Sequence, residues 1–207
     1  NAAIPAEFRD PSGNWFGLTK LGRVVYASKD RVAQYEITYA ELADPKWKGK
    51  ICTRSGQHDY NLALISSIIA HDGAEKAEVW VRGVKENLAR KPEGGDRDQA
   101  KAIFAGECDL AIGNTYYVGQ MITNEKEPEQ KEWAGAIKVL FPDAAGRGTH
   151  VNISGMALAK HAPNKDAAVK LMEFLASPEA QKIYAEQVFE YPVDPNTKPS
   201  DLVASWG

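Results

Sequence analysis

The sequence predicts an α/β protein built on a mostly parallel sheet, and three observations carry that reading. From residue 49 onward, short apolar or β-branched runs alternate with segments of helix length, the pattern of βα units. The 207 residues are 43% hydrophobic and 26% charged, enough to bury a sizeable core and unlike a disordered or collagen-like chain. No internal repeat or low-complexity tract interrupts the alternation. Length alone gives a prior of about one to one and a half domains.

Residues 1–21, rich in proline, glycine and aromatics, read as irregular or turn structure. Residues 22–28 (GRVVYAS) have the β-branched, aromatic look of a strand. Residues 39–47 read as a short helix ended at Asp44-Pro45. A short strand over 49–55 leads through Gly56-Gln57-His58 into a helix with Asp59 as its N-cap. Leu64, Ile65, Ile68 and Ile69 give that helix one buried face, and Gly73 sits where it ends. A second helix over 75–89 has Val81, Val84 and Leu88 on one side. A polar loop over 90–98 precedes a short helix over 99–106, a strand over 108–114 and a helix start over 115–122. Residues 124–132 (NEKEPEQKE) read as solvated loop, and 136–141 and 150–158 as strands. The tail from residue 162 is helical. Ala168, Leu171, Met172 and Leu175 recur at amphipathic spacing, and Ser177-Pro178 restarts a helix with Ala180, Ile183, Tyr184 and Val188 on its apolar side.

Charge and composition exclude several functions. A net charge of −3 and a pI near 5.9 leave no basic footprint for nucleic acid or an anionic membrane. No run of about 18 apolar residues exists to span a bilayer; the best candidate, over 62–70, contains Ser66 and Ser67. The chain opens on Asn1, and NAAIPAEFRD has no apolar signal-peptide core, so the chain reads as processed or cut from something longer. Cys52 and Cys108 are too few for a disulfide scaffold or zinc cluster. They read equally as two buried small hydrophobes or as one disulfide in an oxidising compartment.

In α/β sheets, ligands bind beyond the carboxyl ends of the strands. Two strand-to-helix turns stand out: Arg54-Ser55-Gly56-Gln57-His58-Asp59-Tyr60 and Gly113-Asn114-Thr115-Tyr116-Tyr117. If both strands share a sheet, three tyrosine hydroxyls gather at one edge. Phenolate is a hard anionic donor suited to ferric iron, whereas softer metals prefer thiolate or imidazole. A free phenol has a pKa of about 10, so the metal itself must displace the proton. The plainer reading of Tyr116-Tyr117 is one core ring and one surface ring. His58 reads as a solvated loop residue, and His71, His150 and His161 show no ligand spacing to one another. Gly94-Gly95 belongs to no phosphate-binding motif, and Ser154 lacks the flanking glycines of a nucleophile elbow. Neither cysteine has a convincing base or orienting carboxylate, so no enzyme is expected.

These residues resemble the periplasmic ferric-iron-binding proteins of bacterial ABC importers, the bacterial transferrins. The likeness lies in Trp15-Phe16-Gly17-Leu18 with Arg23-Val24-Val25-Tyr26, and in Leu42-Ala43-Asp44-Pro45-Lys46-Trp47. It continues through Cys52-Thr53-Arg54-Ser55-Gly56 with Tyr60-Asn61, GECDLAIGNTYY over 106–117, Val151-Asn152-Ile153-Ser154-Gly155, and FLASPEAQ over 174–181. The resemblance implies a type II periplasmic-binding-protein fold, incomplete in this chain, with two lobes, crossing hinge strands and a ligand cleft between the lobes. Residues 1–28 would be part of the first lobe and a hinge strand, and 29–149 the second lobe. Residues 150–192 would be the return hinge strand and first-lobe helices, with 193–207 a C-terminal segment of unassigned lobe. It also implies that Tyr60, Tyr116 and Tyr117 coordinate Fe(III), while Arg54, Ser55 and Asn114 hold a synergistic anion or a water, or cap the turns. The expected partners are a ferric ion and an inner-membrane permease, the expected compartment is the periplasm (or an extracytoplasmic, membrane-anchored location), and the protein is expected to be a monomer. A Cys52–Cys108 disulfide fits that compartment. The family's opening strand, with its histidine or tyrosine ligand, and its final helix find no match here, which implies weak, open-site iron binding by this chain. The alternative within the same fold is a site for a small organic molecule or oxyanion.

Overall fold

A computed structural model describes residues 4–206; of the expected first segment, residues 1–3 lie outside the described residues, as does residue 207. The chain divides into two compact units: Gly22–His150, and the residues up to Leu21 together with those from Val151 on. It passes from one unit to the other at Leu21–Gly22 and at His150–Val151.

The Gly22–His150 unit holds a sheet in the order β2 (Ile51–Cys52), β3 (Leu110–Asn114), β1 (Phe16–Ser28) and β4 (Ile137–Leu140). β2 and β3 are parallel, with Ile51 opposite Leu110. β1 runs antiparallel to both of its neighbours, pairing Arg23 with Asn114 on one side and Val25 with Leu140 on the other. Strands β2, β3 and β4 therefore share one direction, and β1 opposes them. This corrects the expectation of a mostly parallel sheet. A helical crossover makes β2 and β3 parallel, but β1 enters from the other unit and needs none. From Leu21 to Ser28 every β1 residue is buried, as expected of a strand covered on both faces.

Helices α1 (Asp59–Asp72), α2 (Ala74–Glu86) and α3 (Asp96–Phe104) connect β2 to β3. His58, rather than Asp59, caps α1: its Nδ1 accepts from the Tyr60 backbone N–H at 3.3 Å. Gly73, at φ 88°, ends the helix as expected. Leu64 and Ile68 are buried and Ile65 packs against the same core, but Ile69 is 44% exposed because it lies at the rim of the stripe. The core on this side joins Val25, Ala27, Leu110 and Ile112 of the sheet to Leu64, Ile68, Trp80 and Val84 of the helices. α3 begins at Asp96, inside the expected polar loop, and the Asp98 carboxylate accepts from the Gly95 N–H at 2.6 Å to close its first turn. After β3 come α4 (Thr115–Ile122), on its expected bounds, and α5 (Glu129–Gly135). α5 replaces part of the expected charged loop: Pro128 presets its start, and Gln130 and Ala134 are buried. Residues 39–47 form two 3₁₀ turns, Ala40–Ala43 and Pro45–Trp47, the second capped by Asp44 Oδ1 on the Lys46 N–H at 2.9 Å. Cys52 and Cys108 form a disulfide with a Cα separation of 5.9 Å.

In the other unit, β1 starts at Phe16, so the expectation of irregular structure to residue 21 fails for its last six residues. Gly17 explains the difference. A Cβ there would lie 2.8 Å from Phe8 O and 2.9 Å from Ile153 Cγ2, so the glycine permits a close approach rather than breaking the strand. This half of β1 pairs with β5 (Val151–Met156) and with β6 (Tyr191–Pro192). α6 (Lys165–Leu175), α7 (Pro178–Ile183) with a π-helical extension over Tyr184–Val188, and α8 (Asp201–Ala204) complete it. Ser177 Oγ caps α7 through the Ala180 N–H at 3.3 Å. The apolar faces expected here are less buried than their spacing implies: no α6 residue is fully buried, Leu171 is 56% exposed and Ile183 40% exposed.

Candidate metal centre

The two tyrosine-bearing turns follow the carboxyl ends of neighbouring parallel strands, β2 and β3. Tyr60 lies in the first turn of α1, and Tyr116 and Tyr117 in the first turn of α4. Adjacency of the strands brings the turns together: the Tyr60 and Tyr116 hydroxyl oxygens are 3.1 Å apart. The Tyr117 ring lies against the Tyr116 ring, with centroids 4.3 Å apart. Tyr116 is buried, whereas Tyr60 and Tyr117 are half-buried and reach solvent. Burial pushes the Tyr116 phenol far above its usual value, and hydrogen bonds with Tyr117 and Tyr60 push it further. At neutral pH it is a neutral phenol.

Cationic side chains surround the rings. The Arg54 guanidinium lies 5.2 Å from the Tyr60 centroid, and that of Arg97 lies 5.2 Å from the Tyr117 centroid. Arg97 also donates to Gln120 Oε1 at 2.6 Å. Among the described residues, Arg54 Nε and Arg97 Nε are buried without a hydrogen-bond partner. His58 packs edge-on against Tyr60 at 4.6 Å, so it is a capping and packing residue rather than a solvated one. Among the described residues, no cluster of three His, Cys, Asp or Glu side chains could hold a metal. The tyrosine oxygens are the hard donors gathered at this edge.

The other three expected site residues occupy distinct places. Arg54 Nη1 reaches Asp96 Oδ1 at 3.3 Å. Ser55 is exposed; its Oγ accepts from the Gln57 N–H at 3.2 Å and caps the turn. Asn114 is fully buried: its N–H donates to Asp96 Oδ2 at 2.8 Å, its Oδ1 accepts from Arg23 at 3.0 Å, and its carbonyl accepts from the Tyr26 hydroxyl.

Three residues that the sequence reading did not assign to the site hold it together. Arg23 and Asp96, each 1% exposed, form an ion pair at 2.6 Å. Asn61, one residue after Tyr60, donates through Nδ2 to Thr53 Oγ1, Arg54 O and Ser55 O at 3.0–3.1 Å, fastening the first turn to its helix. One signal for Arg23 was available: an arginine inside an apolar strand implies a buried partner, because an isolated charge is too costly there.

Residues 1–205 match the family described as Bacterial extracellular solute-binding protein. Iron uptake protein A1 of Synechocystis sp. is 45% identical over 205 residues, covering 99% of this chain and 57% of that protein. The Major ferric iron-binding protein of Neisseria meningitidis serogroup B is 30% identical over 187 residues, covering 88% and 54%. The chain thus spans just over half the length of these curated relatives. Among solved structures, the apo ferric ion-binding protein A of Pasteurella haemolytica superposes with a TM-score of 0.94 at 51% identity, covering 99% of this chain and 64% of that one. A Trichodesmium protein solved with iron and citrate superposes at 0.93 with 44% identity, covering 100% and 66%. The relatives are solute-binding proteins, and the fold is that of type II periplasmic binding proteins. With the family match running almost from end to end, this chain belongs to the bacterial extracellular solute-binding proteins.

Proposed function

We propose that this chain carries the tyrosine ligands of a ferric-iron-binding protein, with Fe(III) as cargo rather than as a resident cofactor. One observation carries the reading: the Tyr60 and Tyr116 hydroxyl oxygens lie 3.1 Å apart, with Tyr117 stacked beside them. Two oxygens on adjacent corners of an octahedron around a small hard ion, each at about 2.0–2.1 Å, are about 2.9 Å apart. Little movement is needed to bring both onto one metal. Three phenolates neutralise a trivalent ion, and each must surrender its proton on binding.

The cationic rim supports a co-bound anion. Arg23 and Arg54 share one carboxylate, Asp96, so the rim keeps a positive surplus that Arg97 increases. The unpartnered Nε groups of Arg54 and Arg97 are donors suited to a carbonate or carboxylate that fills the remaining metal positions. In the whole protein the loaded form would deliver its ion to an inner-membrane permease from the periplasm. Among the described residues, no helix is long and apolar enough to cross a membrane.

Titration with ferric citrate tests the assignment. The chain is expected to develop a visible phenolate-to-iron charge-transfer band. Tyr116→Phe and Tyr117→Phe, which keep the rings, should each weaken binding by tenfold or more. A colourless chain, or unchanged affinity in both variants, refutes the assignment.

A further inference from the structure

A buried charge demands an account, and Arg23 is 1% exposed in the middle of β1. Its ion pair with Asp96 does not explain itself as a stabilising device, because well-packed apolar residues often replace such a pair without loss. The geometry offers another reason. Arg23 Nη1 donates to Asp96 Oδ2 at 2.6 Å and Asn114 Oδ1 at 3.0 Å, while Nη2 donates to Asn61 Oδ1 at 2.7 Å. These acceptors belong to the first turn of α3, the residue preceding α4 and the first turn of α1. Asn61 directly follows Tyr60, and Asn114 lies two residues before Tyr116. One planar group thus ties together the two helix starts that carry the phenols. The main chain of Arg23 is fixed too: its N–H donates to His150 O at 2.9 Å, and its carbonyl accepts from the Tyr39 hydroxyl.

Resting on the ferric reading of the site, we infer that Arg23 is a positioning residue whose guanidinium fork sets the separation of the Tyr60 and Tyr116 oxygens. It reaches the phenols through the two asparagines and through the Tyr60 ring, whose centroid lies 5.7 Å from its guanidinium. Asp96 is its counterpart, holding the Asn114 N–H at 2.8 Å from the other side. A lysine keeps the charge but is a single point donor, and it cannot bridge Asn61 and Asn114 in a fixed plane. With the fork lost, each helix start keeps its own hydrogen bonds while the distance between them is no longer set.

The test compares five forms of the 207-residue chain in ferric citrate titrations: wild type, Tyr116→Phe, Arg23→Lys, Asp96→Asn and Arg31→Lys. Arg23→Lys is expected to unfold cooperatively, bind iron at least tenfold more weakly and shift the charge-transfer band. A merely structural pair would not move that band. As a control, Arg31→Lys perturbs the Arg31–Asp109 pair, at 2.6 Å, and should leave the band unchanged. If Arg23→Lys does not fold, Asp96→Asn decides by the same criteria. Wild-type band and affinity in a folded Arg23→Lys chain overturn the inference while leaving the ferric reading intact, provided Tyr116→Phe is impaired. Failure of both variants to fold also overturns it, because the pair then serves folding alone. A wild type without a band overturns the ferric reading itself, and with it this inference.

Discussion

Gly113 lies at the carboxyl end of β3, opposite Val24 and one residue before Asn114. A Cβ built there lies 2.2 Å from Tyr26 Cζ, 2.3 Å from Cε2 and 2.5 Å from the hydroxyl oxygen. Tyr26 is fully buried, and its hydroxyl donates to the Asn114 carbonyl, so the ring cannot swing into solvent. Gly113 is not among the glycines with positive φ, so alanine meets a steric objection only. Overpacking of this kind costs about 1–3 kcal/mol, and loss of the hydroxyl's hydrogen bond adds about 1 kcal/mol. Gly113→Ala should therefore destabilise by about 3 kcal/mol, a fall in Tm of about 10 °C at roughly 2–4 °C per kcal/mol. Calorimetry on wild type, Gly113→Ala, Tyr26→Leu and the double variant measures both the size and the cause. Tyr26→Leu opens a cavity and costs energy of its own, but it also makes room for the new methyl. The double variant should lose less than the sum of the singles by more than about 0.5 kcal/mol. A fall below about 2 °C, or strict additivity, refutes the reasoning.

Two further perturbations test the chain without iron. Replacing Cys52 and Cys108 by serine removes a cross-link between residues 56 positions apart, with a chain-entropy value of about 4 kcal/mol. The urea midpoint should fall accordingly, and denatured, unreduced wild type should show no free thiol; two thiols per chain refute the bond. Alkaline stability follows from the tyrosines. Burial raises the phenols of Tyr26, Tyr39 and Tyr116 and pushes Tyr191 up to about 12. A folded-state pKa raised above the unfolded value of about 10 gives stability that is complete below that value and lost as pH rises through the folded one. The urea midpoint of the iron-free chain should hold to about pH 10 and then fall, and a midpoint still flat at about pH 12 contradicts this.

What was legible in the sequence was local. The Thr115–Ile122 helix appeared on its bounds, and Gly73 ended its helix, because capping and periodicity are written in neighbouring residues. The two turns stood out because Gly56-Gln57-His58 and Gly113-Asn114 interrupt apolar runs. What escaped depends on partners far along the chain. Asp96 read as part of a polar loop because its burial depends on Arg23, 73 residues earlier. The start of β1 was hidden because Gly17 signals a break until Phe8 and Ile153 are seen pressing on it. The direction of β1 could not be read at all: a fully buried strand shows an apolar run whichever way it points. The framework around the three tyrosines was missed for the same reason that the tyrosines stood out. Tyrosines at a turn are a local signal, whereas an arginine joining three segments is a tertiary one.

The proposed use of tyrosine rather than carboxylate as ligand has a rationale in the metal-free protein. Three carboxylates at this spacing would be ionised at neutral pH and would repel one another, so an unloaded site would strain the fold. Phenols remain neutral until a metal arrives, and two can share a 3.1 Å contact as a hydrogen bond rather than a repulsion. Buried Tyr116, shifted further toward its neutral form, carries this furthest. On the proposed ferric reading the cationic groups have a use that differs between the two states. Without metal they lie against electron-rich ring faces, where Arg54 and Arg97 sit 5.2 Å from the Tyr60 and Tyr117 centroids. With the proposed ferric ion bound they would face metal-bound phenolates, and the unpartnered Nε groups of Arg54 and Arg97 would be available to an anion that completes the coordination. If the tyrosines bind iron as proposed, a site built this way would favour a cation strong enough to displace phenolic protons, a trivalent ion over a divalent one.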